Sequence, residues 1–135
     1  MNKIFIDTVF VIALVSPNDQ YHAQAMALSK KYENAPMLIT EAVLMEIGNA
    51  LAKDYKQEAI AIIKAFRSSG DDVIIIEQNS QLFLKGFEMY EKYKDKAWSL
   101  VDCISFVVMR ENKVTEALTT DDHFKQAGFK ILMHK

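Results

Sequence analysis

Short apolar runs alternate with longer stretches of helical periodicity along this chain, and the alternation predicts strands and helices in turn. Lys3-Ile4-Phe5-Ile6 is a run of β-formers broken by Asp7-Thr8, which reads as a buried strand passing into a helix start. Thr8 to Val15 stays apolar and predicts a short buried helix, closed by the turn cluster Ser16-Pro17-Asn18-Asp19. Tyr21 to Asn34 predicts a helix with Ala23, Met26, Ala27 and Tyr32 on its core face, stopped by Pro36. Met37 to Ile39 predicts a short strand. Thr40 then caps a helix from Glu41 to about Asp54, with Val43, Leu44, Ile47, Ala50 and Leu51 as its apolar positions. Gln57 to Ser68 predicts a further helix with Ile60, Ile63 and Phe66 buried, ended by Ser69-Gly70.

The second half continues the alternation. Val73 to Glu77 predicts a strand, and Ser80 to about Lys94 a helix on which Leu82, Phe83, Phe87 and Tyr90 recur at helical spacing. A charged stretch, Glu91 to Lys96, separates it from a helix over Ser99 to Asn112. A strand near Ala117 to Thr119, a short helix from Asp122 to Ala127, Gly128 as its stop and a last strand Lys130 to Met133 complete the order. Strands alternating with helices predict an α/β fold, with a central, mainly parallel sheet of about five short strands and helices on both faces. With no linker or internal repeat, residues 1–135 are expected to form a single domain.

Composition narrows the class. A hydrophobic share of 50% and a charged share of 25% are ordinary for a globular chain and exclude a low-complexity one. The apolar runs are too short to span a membrane, and the N-terminus enters a strand without the basic region and cleavage site of an export signal, so a cytoplasmic protein is expected. The lone cysteine, Cys103, agrees with a reducing compartment and reads as a small core residue. A net charge of -2 is not the footprint of a protein that grips nucleic acid by charge alone. A nucleic-acid substrate would be approached through a metal or through a local basic patch, for which Lys30, Lys31, Lys53, Lys56, Lys64 and Arg67 are the candidates.

Four carboxylates carry the candidate chemistry. Asp7 and Asp121 close apolar strands, and in open parallel sheets ligands bind outside the carboxyl ends of the strands. Glu46 and Asp102 lie inside apolar helical patterns with no Lys or Arg three or four residues away, so something outside their own helices must neutralise them. Each has a simpler explanation alone, except Glu46: Ser99 and Asp102 have the form of a capping box, Asp121 and Asp122 can cap the helix that follows, and Asp7 can cap the helix at Thr8. Together they form a site that suits Mg²⁺ or Mn²⁺, hard ions that take oxygen ligands, and no Cys/His cluster selects zinc instead. Such an ion polarises a phosphoryl oxygen and activates water for in-line attack, which predicts phosphodiester hydrolysis.

Phe5-Ile6-Asp7-Thr8, the helix Thr40 to Leu51, Ser99-Leu100-Val101-Asp102-Cys103-Ile104-Ser105-Phe106 and the segment Ala117 to Phe129 resemble, in order and over the whole chain, the PIN-domain nucleases, particularly their VapC-like branch. The resemblance implies a PIN-like α/β/α sandwich, an Mg²⁺ or Mn²⁺ site built by Asp7, Glu46, Asp102 and Asp121, and endonucleolytic cleavage of single-stranded RNA. It implies Thr8, Asn49, Ser99 and Thr119 as polar residues that orient the acids or waters. It also implies a toxin role with a small antitoxin as partner, and a homodimer. Where the family often carries a small polar residue, this chain has Val9; Asp122 is variable in the family, and His123 matches a His-Phe pair that reads as helix packing. Tyr21, Tyr32 and Tyr55 are candidate interface residues. The alternative reading is a non-catalytic α/β binding or phosphoacceptor signalling module with a Mg²⁺ site.

Overall fold

Ile4, Phe5 and Ile6 form strand β1 (Ile4–Ile6), and all three are buried, as expected of a strand covered on both faces. Beside it run β2 (Met37–Thr40), β3 (Val73–Ile76), β4 (Glu116–Leu118) and β5 (Lys130–Ile131). The computed structural model describes residues 2–135 and places these strands in one sheet, ordered β3-β2-β1-β4-β5, with every neighbouring pair parallel. Seven α-helices connect them: α1 (Thr8–Val15), α2 (His22–Lys31), α3 (Glu41–Leu51), α4 (Lys56–Arg67), α5 (Ser80–Lys92), α6 (Leu100–Glu111) and α7 (Asp122–Gln126). The connection after β1 leads to one side of it and the connection after β4 to the other, so the β1/β4 boundary is the topological switch point of the sheet.

The register fixes what meets there. Phe5 pairs with Ala117 and Ile6 with Leu118, so continuing both strands by one residue sets Asp7 beside Thr119. The Asp7 N–H bonds the Leu118 carbonyl at 3.4 Å, closing the ladder where the chain turns into α1. An aromatic chain runs beneath this end of the sheet. Phe106 of α6 meets Phe124 of α7 edge-on at 5.0 Å, Phe124 meets Phe5 of β1 at 5.9 Å, and Trp98 meets Phe106 at 5.1 Å while its Nε1–H bonds Gln126 Oε1 at 3.0 Å. Such edge-to-face contacts have defined geometry. They lock α7 against the middle of α6 and the Trp98 that precedes it.

The end of α7 is fixed as well. Gly128 adopts φ 98°, its N–H bonds the Lys125 carbonyl at 3.0 Å, and the Phe129 N–H bonds the Phe124 carbonyl at 3.0 Å, a Schellman closure. The expected helix stop at Gly128 is therefore present.

Several core assignments are corrected. On α2, Ala25 is the buried residue, whereas Ala23, Met26 and Ala27 are exposed; the true inward stripe is Tyr21, Ala25, Leu28 and Tyr32, one position out of phase with the expected one. On α4, Ala59 faces the core with Ile63 and Phe66, and Ile60 is exposed. On α5, Leu82 and Gly86 are buried and Met89 and Tyr93 pack beside them, leaving Phe83, Phe87 and Tyr90 outside. The reason is Gly86. A Cβ there would lie 2.5 Å from Ile104 Cγ1, so α5 and α6 approach closely along the glycine side and the aromatic row turns outward. Tyr21, Tyr32 and Tyr55, the candidate interface residues, are half-buried against the core. The last strand is two residues long, although the Leu132 N–H still bonds the Ala117 carbonyl at 2.9 Å.

Gly86→Ala therefore lowers stability. Overpacking costs about 1–3 kcal/mol and the gain in helix propensity returns up to about 1 kcal/mol. Urea unfolding of the variant should show a lower midpoint at unchanged m; an unchanged midpoint would mean that the α5–α6 contact relaxes freely.

Candidate metal centre

The site is assembled at the switch point by short local devices. Thr119 sits beyond the end of β4, fully buried, and its Oγ1 donates to Asp7 Oδ2 at 2.7 Å while accepting from the Asp121 N–H at 3.0 Å. One hydroxyl thus fixes Asp7 and the backbone that carries Asp121. Ser99 and Asp102 form the expected capping box: Ser99 Oγ accepts from the Asp102 N–H at 3.0 Å, and Asp102 Oδ2 accepts from the Ser99 N–H at 3.1 Å. Asp121 is the N-cap of α7, and its Oδ1 accepts from the His123 N–H at 2.9 Å. Asp7 holds the N-cap position of α1 without a side-chain cap bond, so capping does not explain its carboxylate. Asp122 pairs instead with Lys135 at 3.0 Å, away from this cluster, and that pair holds its carboxyl below the usual range.

Asp102, Asp121 and His123 each offer one ligand atom, and these lie within 4.8 Å of one another. His123 Nδ1 is 3.0 Å from Asp102 Oδ2 and 3.4 Å from Asp121 Oδ1. The packing role expected for the His-Phe pair falls to Phe124 alone; the His123 ring faces the acids. Its direction follows once Phe124 is known to be buried. A side chain one position before a fully buried residue of a short helix turns about 100° away from the core, here toward Asp102.

Asp7 is 7% exposed, and its carboxyl is pushed up to about 7, chiefly by burial and further by the neighbouring Asp102 and Asp121 charges, against the Thr119 and Thr8 hydrogen bonds that lower it. Among the described residues no Lys or Arg pairs with Asp7, Glu46, Asp102 or Asp121. A buried acid that desolvation and two neighbouring carboxylates disfavour, with no Lys or Arg to offset it, fits a divalent cation and its hard oxygen ligands.

Glu46 stands outside the tight group. Its Oε1 accepts from Thr8 Oγ1 at 2.7 Å, so α3 reaches the site through the first residue of α1. Asn49, expected beside Glu46, is exposed and lines a groove between α3 and α4 with Glu41, Leu44, Gly48, Ile63 and Arg67. Lys53, Lys56, Lys64 and Arg67 are exposed on the same helices and the turn joining them. Cys103, next to Asp102, is buried as expected, and burial holds its thiol above the ordinary value.

The family model of the PIN domain matches residues 4–130 of the chain. The 23S rRNA-specific endonuclease VapC20 of Mycobacterium tuberculosis is 30% identical over 128 residues, which cover 93% of this chain and 95% of that protein. The crystal structure of M. tuberculosis VapC20, described as a Sarcin-Ricin loop cleaving toxin, superposes with a TM-score of 0.83 at 28% identity over 94% of this chain and 96% of that one. FitAcB from Neisseria gonorrhoeae, at TM-score 0.64 and 13% identity, and DNA-bound VapBC from Salmonella typhimurium, at 0.59 and 15%, share the fold over 96% and 97% of both chains. The order of the strands, the acids gathered at their switch point and these full-length likenesses agree, and the chain belongs to the PIN domain family, in its VapC-like branch.

Proposed function

We propose that this protein is a divalent-metal-dependent endoribonuclease in which Asp7, Asp102 and Asp121 hold Mg²⁺ or Mn²⁺ and Glu46 completes the site from α3. The observation that carries the reading is the buried Asp7 carboxyl, pushed up to about 7 beside two further acids at the sheet's switch point. When bound, the ion supplies positive charge to a phosphoryl oxygen and lowers the pKa of water for in-line attack on a phosphodiester. The residues do the positioning. Thr119 orients Asp7 and the Asp121 backbone, Ser99 locks Asp102, and Thr8 holds Glu46.

A flexible single strand suits a recessed acidic site, because its phosphates reach the ion without the rigid charge array of a duplex. The likeness to a 23S rRNA-specific endonuclease extends the reading to a loop of ribosomal RNA, in the cytoplasm, with the chain as the toxin of a toxin–antitoxin pair. Incubating isolated ribosomes with the protein and mapping breaks by primer extension tests the substrate. A discrete, metal-dependent stop in large-subunit RNA, absent with Asp102→Asn, is expected; intact ribosomal RNA alongside cleavage of other RNAs would exclude the ribosomal target. The phosphoacceptor alternative predicts instead that a small phosphodonor labels Asp7.

A homodimer fits the outward row on α5. Phe83, Leu84, Phe87 and Tyr90 are all exposed, and Phe83–Phe87 and Phe87–Tyr90 stack at 6.2 Å and 6.4 Å between ring centres, a contiguous apolar surface of the kind that marks interfaces. Phe83→Asp with Phe87→Asp should convert a dimer to a folded monomer by light scattering after size exclusion. A parent that is already monomeric, or a double variant that remains dimeric, would remove the row from the interface.

A further inference from the structure

We propose that His123 is itself a ligand of the metal, through Nδ1, and that this nitrogen makes the site prefer Mn²⁺ over Mg²⁺. The inference rests on the metal-dependent reading above and adds a residue that the acid set alone does not contain.

Three observations carry it. The first is spacing. Neighbouring ligand atoms on an octahedral ion with bonds of about 2.1 Å lie roughly 3 Å apart. His123 Nδ1 stands 3.0 Å from Asp102 Oδ2, a hydrogen bond in the metal-free site, and 3.4 Å from Asp121 Oδ1, so an ion that replaces the bridging proton meets three donor atoms already at the separation of adjacent ligands. The second is that the backbone carrying the ring is held in place. The His123 N–H is tied to the Asp121 cap, and Phe124, the next residue, is wedged between Phe5 and Phe106, so the Cα of His123 is fixed beside the acids. The third is access. The His123 side chain is 32% exposed, so the ring borders solvent, where an ion enters.

The consequence is chemical. Mg²⁺ keeps oxygen ligands and gives up its water shell reluctantly, whereas Mn²⁺, although it also takes oxygen ligands and is the weakest binder of the divalent first-row series, accepts an imidazole more readily than Mg²⁺ does. A nitrogen placed among carboxylates therefore adds affinity for Mn²⁺ while adding little for Mg²⁺. Removing it should leave Mg²⁺ binding close to the parent's and weaken Mn²⁺ roughly tenfold or more, since even residues that only orient a ligand are typically worth 10–100-fold.

The test is a Mn²⁺ titration of the folded protein followed by the electron paramagnetic resonance of free Mn²⁺, with Mg²⁺ affinity obtained by competition, for the parent, His123→Ala and His123→Asn. Asn keeps a polar side chain at the start of α7, so loss of the helix end does not mimic loss of a ligand. The bound Mn²⁺ spectrum of the parent should carry a histidine nitrogen coupling that changes on ¹⁵N-histidine labelling and disappears in both variants, and the Mn²⁺/Mg²⁺ affinity ratio should fall in both. Bound Mn²⁺ without that coupling, or with an unaltered ratio in the variants, overturns the His123 assignment and leaves the acid site standing. A folded parent that binds no Mn²⁺ overturns this inference together with the metal-dependent reading.

Discussion

Asp7→Asn should abolish cleavage and at the same time make the metal-free protein more stable. The two effects have one cause. Asp7 is buried, its carboxyl is pushed up to about 7 mainly by that burial, and two further acids stand next to it. Its unfolded value is 3.8, so the folded chain holds the proton more tightly than the unfolded one between pH 4 and 7. Stability is lost as pH rises through that window, and above it the full penalty, on the order of 4 kcal/mol, is present. Asn accepts the Thr119 hydroxyl bond through its amide oxygen and carries no charge to bury. Melting of the variant at pH 8 should therefore occur several degrees above the parent, with almost no difference at pH 4. A variant less stable than the parent at pH 8 would mean that Asp7 is not held under electrostatic strain; a variant that cuts at the parental rate would mean that it does not hold the ion.

Metal should offset much of the stability lost as pH rises. In chelator the parent should lose stability between pH 4 and 7 for the reason just given. Mn²⁺ or Mg²⁺ binds the ionised acids and not the protonated ones, so at pH 5 it must first displace the Asp7 proton, while at pH 8 it meets a carboxylate already charged. A ligand at about a hundred times its dissociation constant adds about 2.7 kcal/mol. The rise in melting temperature on adding metal should accordingly be large at pH 8 and small at pH 5, and cleavage should climb over the same range. Equal metal-induced shifts at pH 5 and pH 8 would separate Asp7 from the ion. Asp102→Asn should shrink the shift at both pH values, because the capping box survives through the amide oxygen while a ligand charge is lost.

The element order and the acid positions were legible in the sequence because both depend on local signals. Apolar runs broken by Asp7-Thr8 and by Thr119-Thr120-Asp121 mark strand ends, and Ser99 with Asp102 marks a helix start. What sequence spacing missed depends on which of two adjacent helical stripes faces the core. On α5 the large residues Phe83, Phe87 and Tyr90 made the more prominent stripe, yet Gly86 allows α6 so close that the stripe containing Leu82 and Met89 is buried. On α2 the small Ala25 is the residue that fits against α1, and Met26 is left outside. On α3, Glu46 turns to Thr8 while Asn49 borders the groove beside α4. His123 needed the tertiary contact between α6 and α7, since nothing local joins it to Asp102, twenty-one residues earlier.

Cleavage of a labelled single-stranded RNA by the purified protein, with Mg²⁺, with Mn²⁺ and with chelator, run beside Asp102→Asn, tests the central claim most directly. The account predicts internal cuts with either ion, faster with Mn²⁺, none in chelator, and none above background from the variant. Cutting that persists in chelator, or that survives in Asp102→Asn at the parental rate, would contradict it.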